Sequence, residues 1–153
     1  MTKQGKDSVS AGSTQKAAYA GVAPETSARM KAVRSRDTDP ELRVRRVLHA
    51  MGCRFRLQRK DLPGTPDIVL PRHQKVVLVH GCFWHGHERC KRASIPTNNA
   101  DTWREKIRLN QRRDERNITE LYALGWDVLV VWECETRDPS LLEHRLRSFV
   151  FRR

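Results

Sequence analysis

Apolar positions along the chain follow two periods, and each period predicts a different kind of element. Residues 44–51 place apolar side chains at helical spacing, after a start signal in residues 38–41 that combines a Thr-x-x-Glu capping box with an early proline. Gly52 is placed to end this helix. Residues 53–57 then alternate apolar and polar side chains, which is the pattern of a half-buried strand.

Later segments complete a mixed order of helices and strands. Residues 68–70 and 75–79 are short apolar runs, and the second is apolar on both faces, which predicts a central strand. A long helix is predicted from residue 101 or 102 to about residue 124, followed by a strand over residues 126–132. A last helix begins at Asp138-Pro139. This order predicts a compact α/β fold with a mixed β-sheet flanked by helices.

The first 29 residues differ from the rest of the chain. They are rich in Ser, Ala, Gly, Thr, Gln and Lys and show no periodic apolar pattern. Such a segment buries too little apolar surface to offset its ordering entropy, so residues 1–29 are predicted to form a disordered basic tail before a folded domain over residues 30–153. The tail carries +2 of the net charge of +12, so the domain itself is strongly basic.

The charge balance narrows the class of protein. Thirty Lys and Arg residues against eighteen Asp and Glu exclude an acidic solvating protein and favour a polyanionic partner. No apolar run approaches the roughly 20 residues that span a bilayer, and the N-terminus lacks the apolar segment of a secretory signal. We therefore expect a cytoplasmic protein that binds nucleic acid and no membrane.

Cysteine and histidine are concentrated in one short segment. Two thiols and two imidazoles fall within residues 82–90, and a further thiol follows the strand predicted over residues 126–132. Thiolate and imidazole ligands suit tetrahedral zinc, and four protein ligands make a closed structural site. The spacing leaves open whether His85 takes part, and Cys53 is better explained as a small core residue. The favoured ligands are Cys82, His87, Cys90 and Cys134.

Candidate catalytic groups lie just before this segment. Pro66-Asp67 follows a glycine-bearing loop and leads into an apolar strand, as in restriction-type nucleases, where such an aspartate holds magnesium against the scissile phosphate. The same dipeptide is also an ordinary junction between turn and strand. The acidic residue usual on the next strand is absent from residues 75–80, but His80 and His85 supply imidazoles that titrate near neutrality and exchange protons.

Several blocks in the same order resemble the very-short-patch-repair (Vsr) endonucleases. They are residues 62–67, residues 80–85 and residues 125–134, with Arg36-Asp37-Thr38 as a lead-in. That family nicks one DNA strand beside a T:G mismatch left by deamination of 5-methylcytosine. The resemblance implies a restriction-endonuclease-like fold, structural zinc on the ligands favoured above, and catalytic magnesium.

The resemblance also implies individual roles. Asp67 becomes the magnesium-binding carboxylate, His85 the general base with Glu41 orienting it, and His80 a second catalytic histidine near the phosphate. Glu41 has a simpler explanation as the third residue of its capping box. Val79 stands where the best-known pattern has threonine. Valine leaves the magnesium site intact if this residue binds the ion through its backbone carbonyl, and it disrupts the site if a hydroxyl is needed.

A second departure lies in the zinc segment. Two residues separate His87 from Cys90, and we expect them to reshape the zinc loop slightly.

Aromatic residues beside the predicted zinc ligands are candidates for a wedge between bases. Phe83 and Trp84 are adjacent large rings in a polar loop, so at least one is expected to be exposed. Unstacking a base step costs a few kcal/mol, and a mismatch lowers that cost. The resemblance assigns this intercalating role to Phe83, Trp84 and also Trp103, whose alternative is to pack with Ile107 along its own helix.

Basic residues on the long predicted helix are expected to contact phosphates, which gives affinity without sequence information. The alternative is an ordinary solvated helix face. An arm at residues 30–36 is expected to clamp the duplex from its other groove. The residues expected to touch DNA in these two regions are Met30, Lys31, Arg104, Lys106 and Asn110.

The combined expectation is a monomeric, magnesium-dependent DNA mismatch endonuclease with structural zinc, located at the bacterial nucleoid. A modified cytosine in the substrate implies a cytosine-5 DNA methyltransferase in the same cell, and repair after nicking implies a polymerase. One alternative is a restriction-type endonuclease that needs no mismatch. Another is a non-catalytic zinc-stabilised DNA-binding module, although pure binding needs none of Asp67, His80 and His85.

Overall fold

The structure is a computed structural model that describes residues 24–25, 28–29 and 35–152. Most of the predicted tail, and the arm residues Met30 and Lys31, lie outside the described residues. From residue 35 onwards the helices and strands are α1 (Asp39–Ala50), β1 (Arg56–Leu57), β2 (Ile68–Leu70), β3 (Lys75–His80), α2 (Ala100–Ala123), β4 (Asp127–Trp132) and α3 (Pro139–Val150).

The four strands form one mixed sheet in the order β1-β2-β3-β4. β1 and β2 are antiparallel, as are β2 and β3, whereas β3 and β4 run parallel from the pair Lys75–Asp127 to the pair His80–Trp132. The prediction that β3 is central is confirmed. Because β3 and β4 are parallel, the chain segments that leave them start side by side at one edge of the sheet.

Helices cover both faces of this sheet, as predicted. Alternate strand residues such as Ile68 and Val77 pack with α1 and α3, whereas Val69 and Val76 pack with Leu121 of α2. This division follows from the period-2 alternation of side chains along a strand. None of the helices within the described residues is long and apolar enough to cross a membrane.

The predicted strand over residues 53–57 is mostly wrong, since only Arg56 and Leu57 pair with β2. Cys53 is nevertheless buried in the core, and Phe55 packs against the same core and stacks on the His49 ring. The alternation thus identifies two buried side chains, but it fails at Leu57, which is 41% exposed, and it does not predict how far the hydrogen-bonded ladder extends. β2 is itself only three residues long, which limits the pairing available to its neighbour.

Thr38 and Asp138 cap α1 and α3 as predicted, but the capping box at α1 is incomplete, because the Glu41 carboxylate accepts from the Asp37 amide and not from the Thr38 amide. The Thr38 hydroxyl accepts from the Glu41 amide at 3.4 Å, and the Asp138 carboxylate accepts from the Leu141 amide at 3.0 Å. At the other end of α3 a buried lysine, Lys75, donates to the carbonyls of Phe149 and Arg152 at 2.7 and 2.8 Å. These bonds satisfy carbonyls that a helix end leaves without partners.

Candidate active site and metal centre

The loop that follows β3 is folded back on itself and fastened to α2. The His87 amide donates to the Cys82 carbonyl at 2.9 Å. From α2, the Asn110 side chain donates to the Trp84 carbonyl at 2.9 Å, and the Gln111 side chain lies 3.3 Å from the carbonyls of both His85 and Gly86. Asn110, predicted to contact DNA, therefore has a local role in holding the loop.

Gly86 is required where the loop touches α2. Its backbone has φ of +62°, a region that L side chains rarely adopt. A Cβ at this position would lie 2.7 Å from Cγ2 of Ile107 and 2.6 Å from Nε2 of Gln111. The glycine thus allows the loop to lie directly on the helix.

Four potential zinc ligands converge between this loop and the turn after β4. One donor atom from each of Cys82, His87, Cys90 and Cys134 lies within 4.8 Å of the others, and we call this group the thiol cluster. Sγ of Cys134 is 3.5 Å from Nδ1 of His87, whose ring stacks on Trp132 with centroids 4.2 Å apart. The structure brings together the favoured set, with Cys53 in the core instead.

The chemistry of the thiol cluster fits zinc. Three sulfur donors and one nitrogen are a common structural zinc set. Burial raises the pKa of the Cys82 thiol to about 12, so its thiolate form needs a cation beside it. A bound zinc ion would supply that charge and join the loop to the turn after β4.

A second group lies where β3 ends. The rings of His80 and His85, which we call the histidine pair, stack with centroids 3.9 Å apart and an interplanar angle of 9°. Burial, and then the neighbouring His85, lower the pKa of His80 to about 4, so His80 is neutral near pH 7. Nδ1 of His85 is 2.5 Å from an Oδ atom of Asp114 on α2.

Asp114 is the functional candidate that the sequence interpretation missed. Glu41 was predicted to orient His85, but the hydrogen-bond partner that the structure shows at Nδ1 of His85 is Asp114. Glu41 instead accepts from the Asp37 amide at 2.9 Å and from Arg45 at 3.1 Å. The available signal was weak, since Asp114 shares one side of α2 with Asn110 and Gln111 but sits in a highly charged run.

Two carboxylates, Asp67 and Glu41, lie within electrostatic reach of each other, and we call them the acidic pair. Asp67 precedes β2, where it accepts from the Val79 amide at 2.8 Å and from the Gln58 side chain at 3.4 Å. Burial raises the pKa of both carboxyls, and the charge of Asp67 raises that of Glu41 further. Two desolvated carboxylates that repel each other fit a divalent cation bound between them.

The acidic pair lies close to the histidine pair. Burial raises the pKa of Asp67, and a positive charge on His85 would lower it, so the two side chains are close enough to interact electrostatically. The Asp67 carboxylate also contacts the backbone of Val79, the residue before His80. Beside the histidine pair, a cavity of about 640 Å³ opens between α2, β4 and the loop, with Asp114 and Arg112 among its lining residues.

The three candidate wedge residues pack on one another. Phe83, Trp84 and Trp103 form mutual edge-to-face contacts with centroids 5.3–6.2 Å apart. Phe83 and Trp84 are half-buried. Trp103 is only 3% exposed, so the structure shows it packed in the protein and not available to DNA in this conformation. Lys106 places its ammonium 5.5 Å from the Trp84 ring, and Arg104 is exposed and paired with Asp101.

Comparisons with known proteins identify a family and several relatives of this chain. Residues 23–92 match the family model described as DNA mismatch endonuclease Vsr. The type II nicking enzyme V.XorIIP of Xanthomonas oryzae is 53% identical over 121 residues, which cover 79% of this chain and 88% of that protein. The nicking enzyme V.NmeAIP of Neisseria meningitidis is 45% identical, covering 79% and 86%. DNA mismatch endonuclease Vsr of Escherichia coli is 44% identical, covering 74% and 72%.

Proposed function

Because the chain belongs to the Vsr family of DNA mismatch endonucleases, we propose that it nicks one strand of duplex DNA beside a T:G mismatch, as the first step of very short patch repair. The mixed sheet flanked by helices is the restriction-endonuclease-like fold of that family. The observation that carries the proposal is the convergence of the acidic pair and the histidine pair at one edge of this sheet.

The acidic pair is proposed to bind magnesium. Asp67 would be a direct ligand, joined by the backbone carbonyl of Val79, with Glu41 facing the same ion. A bound magnesium ion would activate water and neutralise charge on the scissile phosphate. The Val79 amide fixes the Asp67 carboxylate through a backbone bond, which supports the view that valine is tolerated here.

The histidine pair is proposed to accept the proton of the attacking water. The carboxylate of Asp114 accepts the Nδ1 proton of His85, which leaves Nε2 with a lone pair to take a proton from the attacking water. His80 is buried and neutral near pH 7, so it acts as a hydrogen-bonding partner of the phosphate and carries no positive charge.

The thiol cluster is proposed to bind structural zinc. Its four donors leave no position open for substrate, so its contribution is to hold the loop that carries His85 and the candidate wedge. With two residues between them, His87 and Cys90 both reach the cluster.

The loop is also proposed to read the mismatch. Half-buried Phe83 and Trp84 would enter the base stack at the weakened pair. Trp103 would enter the base stack only if its contacts with Phe83 and Trp84 were broken. Arg104 and Lys106 would contact phosphates, with Met30 and Lys31 in an arm before the described domain.

Cellular context follows from this substrate. T:G mismatches of this kind arise where a cytosine-5 DNA methyltransferase has acted, and a repair polymerase must refill the nicked strand. We expect a monomer of residues 30–153 behind a disordered tail, working at the bacterial nucleoid in the cytoplasm.

A strand-resolved nicking assay tests the proposal. Duplexes with a T:G, T:A or C:G pair at one position carry different labels on the two strands, and the zinc-loaded protein is compared with Asp67→Asn and with Asp61→Asn. Asp61 is an exposed carboxylate in the same loop and serves as the matched control. We expect nicking of one strand of the T:G duplex, lost in Asp67→Asn and kept in Asp61→Asn. Equal cutting of all duplexes would indicate a general endonuclease, and binding without cutting a DNA-binding module.

A further inference from the structure

Arg45 ties together charged groups around the proposed magnesium site. It lies on α1, one turn after Glu41, and its guanidinium donates to Glu41 at 3.1 Å and to the Asp37 side chain at 2.8 Å. The side chains of Arg45 and Glu41 are only 13% and 4% exposed, so this ion pair is largely removed from solvent. The Asp37 amide donates to the same Glu41 oxygen, which fixes the carboxylate from two directions.

The charge of Arg45 reaches both members of the acidic pair. It lowers the pKa of Glu41 and of Asp67, against the burial that raises both. Arg45 is thus a fixed positive charge that acts on both carboxyls of the acidic pair. Arg45 therefore already provides a positive charge where magnesium is expected to bind.

This arrangement is not the usual way to stabilise a helix. Nε of Arg45 is buried and donates to no acceptor among the described residues. A buried donor without an acceptor reduces stability, as does desolvation of the two charges. The exposed pair Arg147–Glu143 has the same i,i+4 spacing without that burial. The burial of this ion pair is therefore better explained by a role in the proposed metal site than by stabilisation of α1.

We propose that Arg45 is a positioning residue of the metal site, which holds Glu41 in place next to Asp67 and competes electrostatically with the incoming magnesium ion. The inference rests on the proposed role of the acidic pair in magnesium binding. Loss of the charge at this position removes repulsion toward the magnesium ion. Loss of the hydrogen bonds from the guanidinium to Glu41 and Asp37 frees the Glu41 carboxylate.

Two substitutions separate these effects. In Arg45→Gln the charge is lost, so we expect the magnesium concentration for half-maximal nicking to fall about threefold to tenfold. Turnover should fall on the order of tenfold because Glu41 is no longer fixed. In Arg45→Lys the charge remains, but the planar guanidinium that contacts Glu41 and Asp37 together is lost. The magnesium concentration for half-maximal nicking should therefore stay near the wild-type value while turnover falls. Arg46→Gln is the matched control, since Arg46 is exposed and pairs with no described carboxylate.

A second readout needs no catalysis. The melting temperature of each DNA-free, zinc-loaded variant is measured with and without magnesium. We expect magnesium to raise the melting temperature more in Arg45→Gln than in the wild type or Arg46→Gln, because the ion replaces the missing cation.

Several results would overturn the inference. A lower melting temperature and lower activity in Arg45→Gln, with an unchanged response to magnesium in both assays, would indicate a structural role only. Should Arg45→Gln not fold, wild-type turnover in Arg45→Lys would be enough to reject the positioning role. If the wild-type protein cuts no duplex, the proposed function fails, while the melting measurements still test Arg45 against magnesium.

Discussion

The thiol cluster and the acidic pair are both groups of metal ligands, but the structure builds them in opposite ways. The thiol cluster takes four donors from a loop and a turn, and no position is left for a substrate. The acidic pair has only two carboxylates, whose pKa values are raised by burial, and it lies close to the histidine pair, which lines an open cavity. A closed set of ligands maintains a shape, whereas an incomplete and desolvated set can bind a metal together with substrate.

The largest expected effect comes from the acidic pair. Asp67→Asn should reduce the nicking rate by at least about 10³-fold, because the magnesium contribution of several kcal/mol is lost. The variant should melt at the same or a higher temperature than the wild type, since a neutral amide still accepts from the Val79 amide and no longer repels Glu41. Single-turnover nicking and thermal melting measure the two effects. A large drop in melting temperature would mean that Asp67 is structural.

Breaking the thiol cluster should act on folding as well as on activity. Cys134→Ala removes the ligand that links the loop to the turn after β4, so zinc content should fall from one ion per chain towards zero and nicking should be lost with the position of His85. Elemental analysis and melting curves follow the change. Cys53→Ala is the matched control, because Cys53 is a buried core thiol, and it should lower stability but keep the zinc. Zinc loss from the control instead would place Cys53 among the ligands.

The histidine pair can be tested without disturbing either metal site. Asp114→Asn should lower the nicking rate by about 10²–10⁴-fold, the range of general base catalysis, because His85 loses the group that fixes its tautomer. Zinc content and the magnesium dependence should stay unchanged. Glu115→Gln, at the exposed neighbouring position, should behave like the wild type. Equal losses in the two variants would contradict the assignment.

The smallest expected effect is on the pH dependence of stability. The pKa of His80 is about 4 in the folded protein against an ordinary value of 6.5, so the unfolded chain binds the proton first as the pH falls. The group should therefore destabilise the fold between about pH 6.5 and 4, by up to about 3 kcal/mol. Denaturant unfolding of the wild type and His80→Gln gives the difference. A difference that does not change with pH would show that burial does not control this histidine.

Sequence and structure agree best where residue chemistry is distinctive. Sulfur and imidazole donors are rare enough that their concentration predicted a thiol cluster, although spacing left His85 open as a ligand, and an apolar run without a polar face predicted the central strand β3. Asp114 was missed because one carboxylate in a charged helix looks like any other until the fold brings it to His85. Lys75 was likewise indistinguishable from a polar strand end, although it satisfies the end of α3 some 74 residues away in sequence.

The most direct test separates the two metals in one experiment. Protein that holds one zinc ion per chain is dialysed free of magnesium, and nicking of the T:G duplex is followed while magnesium or further zinc is added. We predict no nicking before the addition, strand-specific nicking as magnesium is raised, and no effect of further zinc, with the bound zinc unchanged throughout. Nicking without magnesium, or nicking that follows zinc content, would contradict the division between a catalytic acidic pair and a structural thiol cluster.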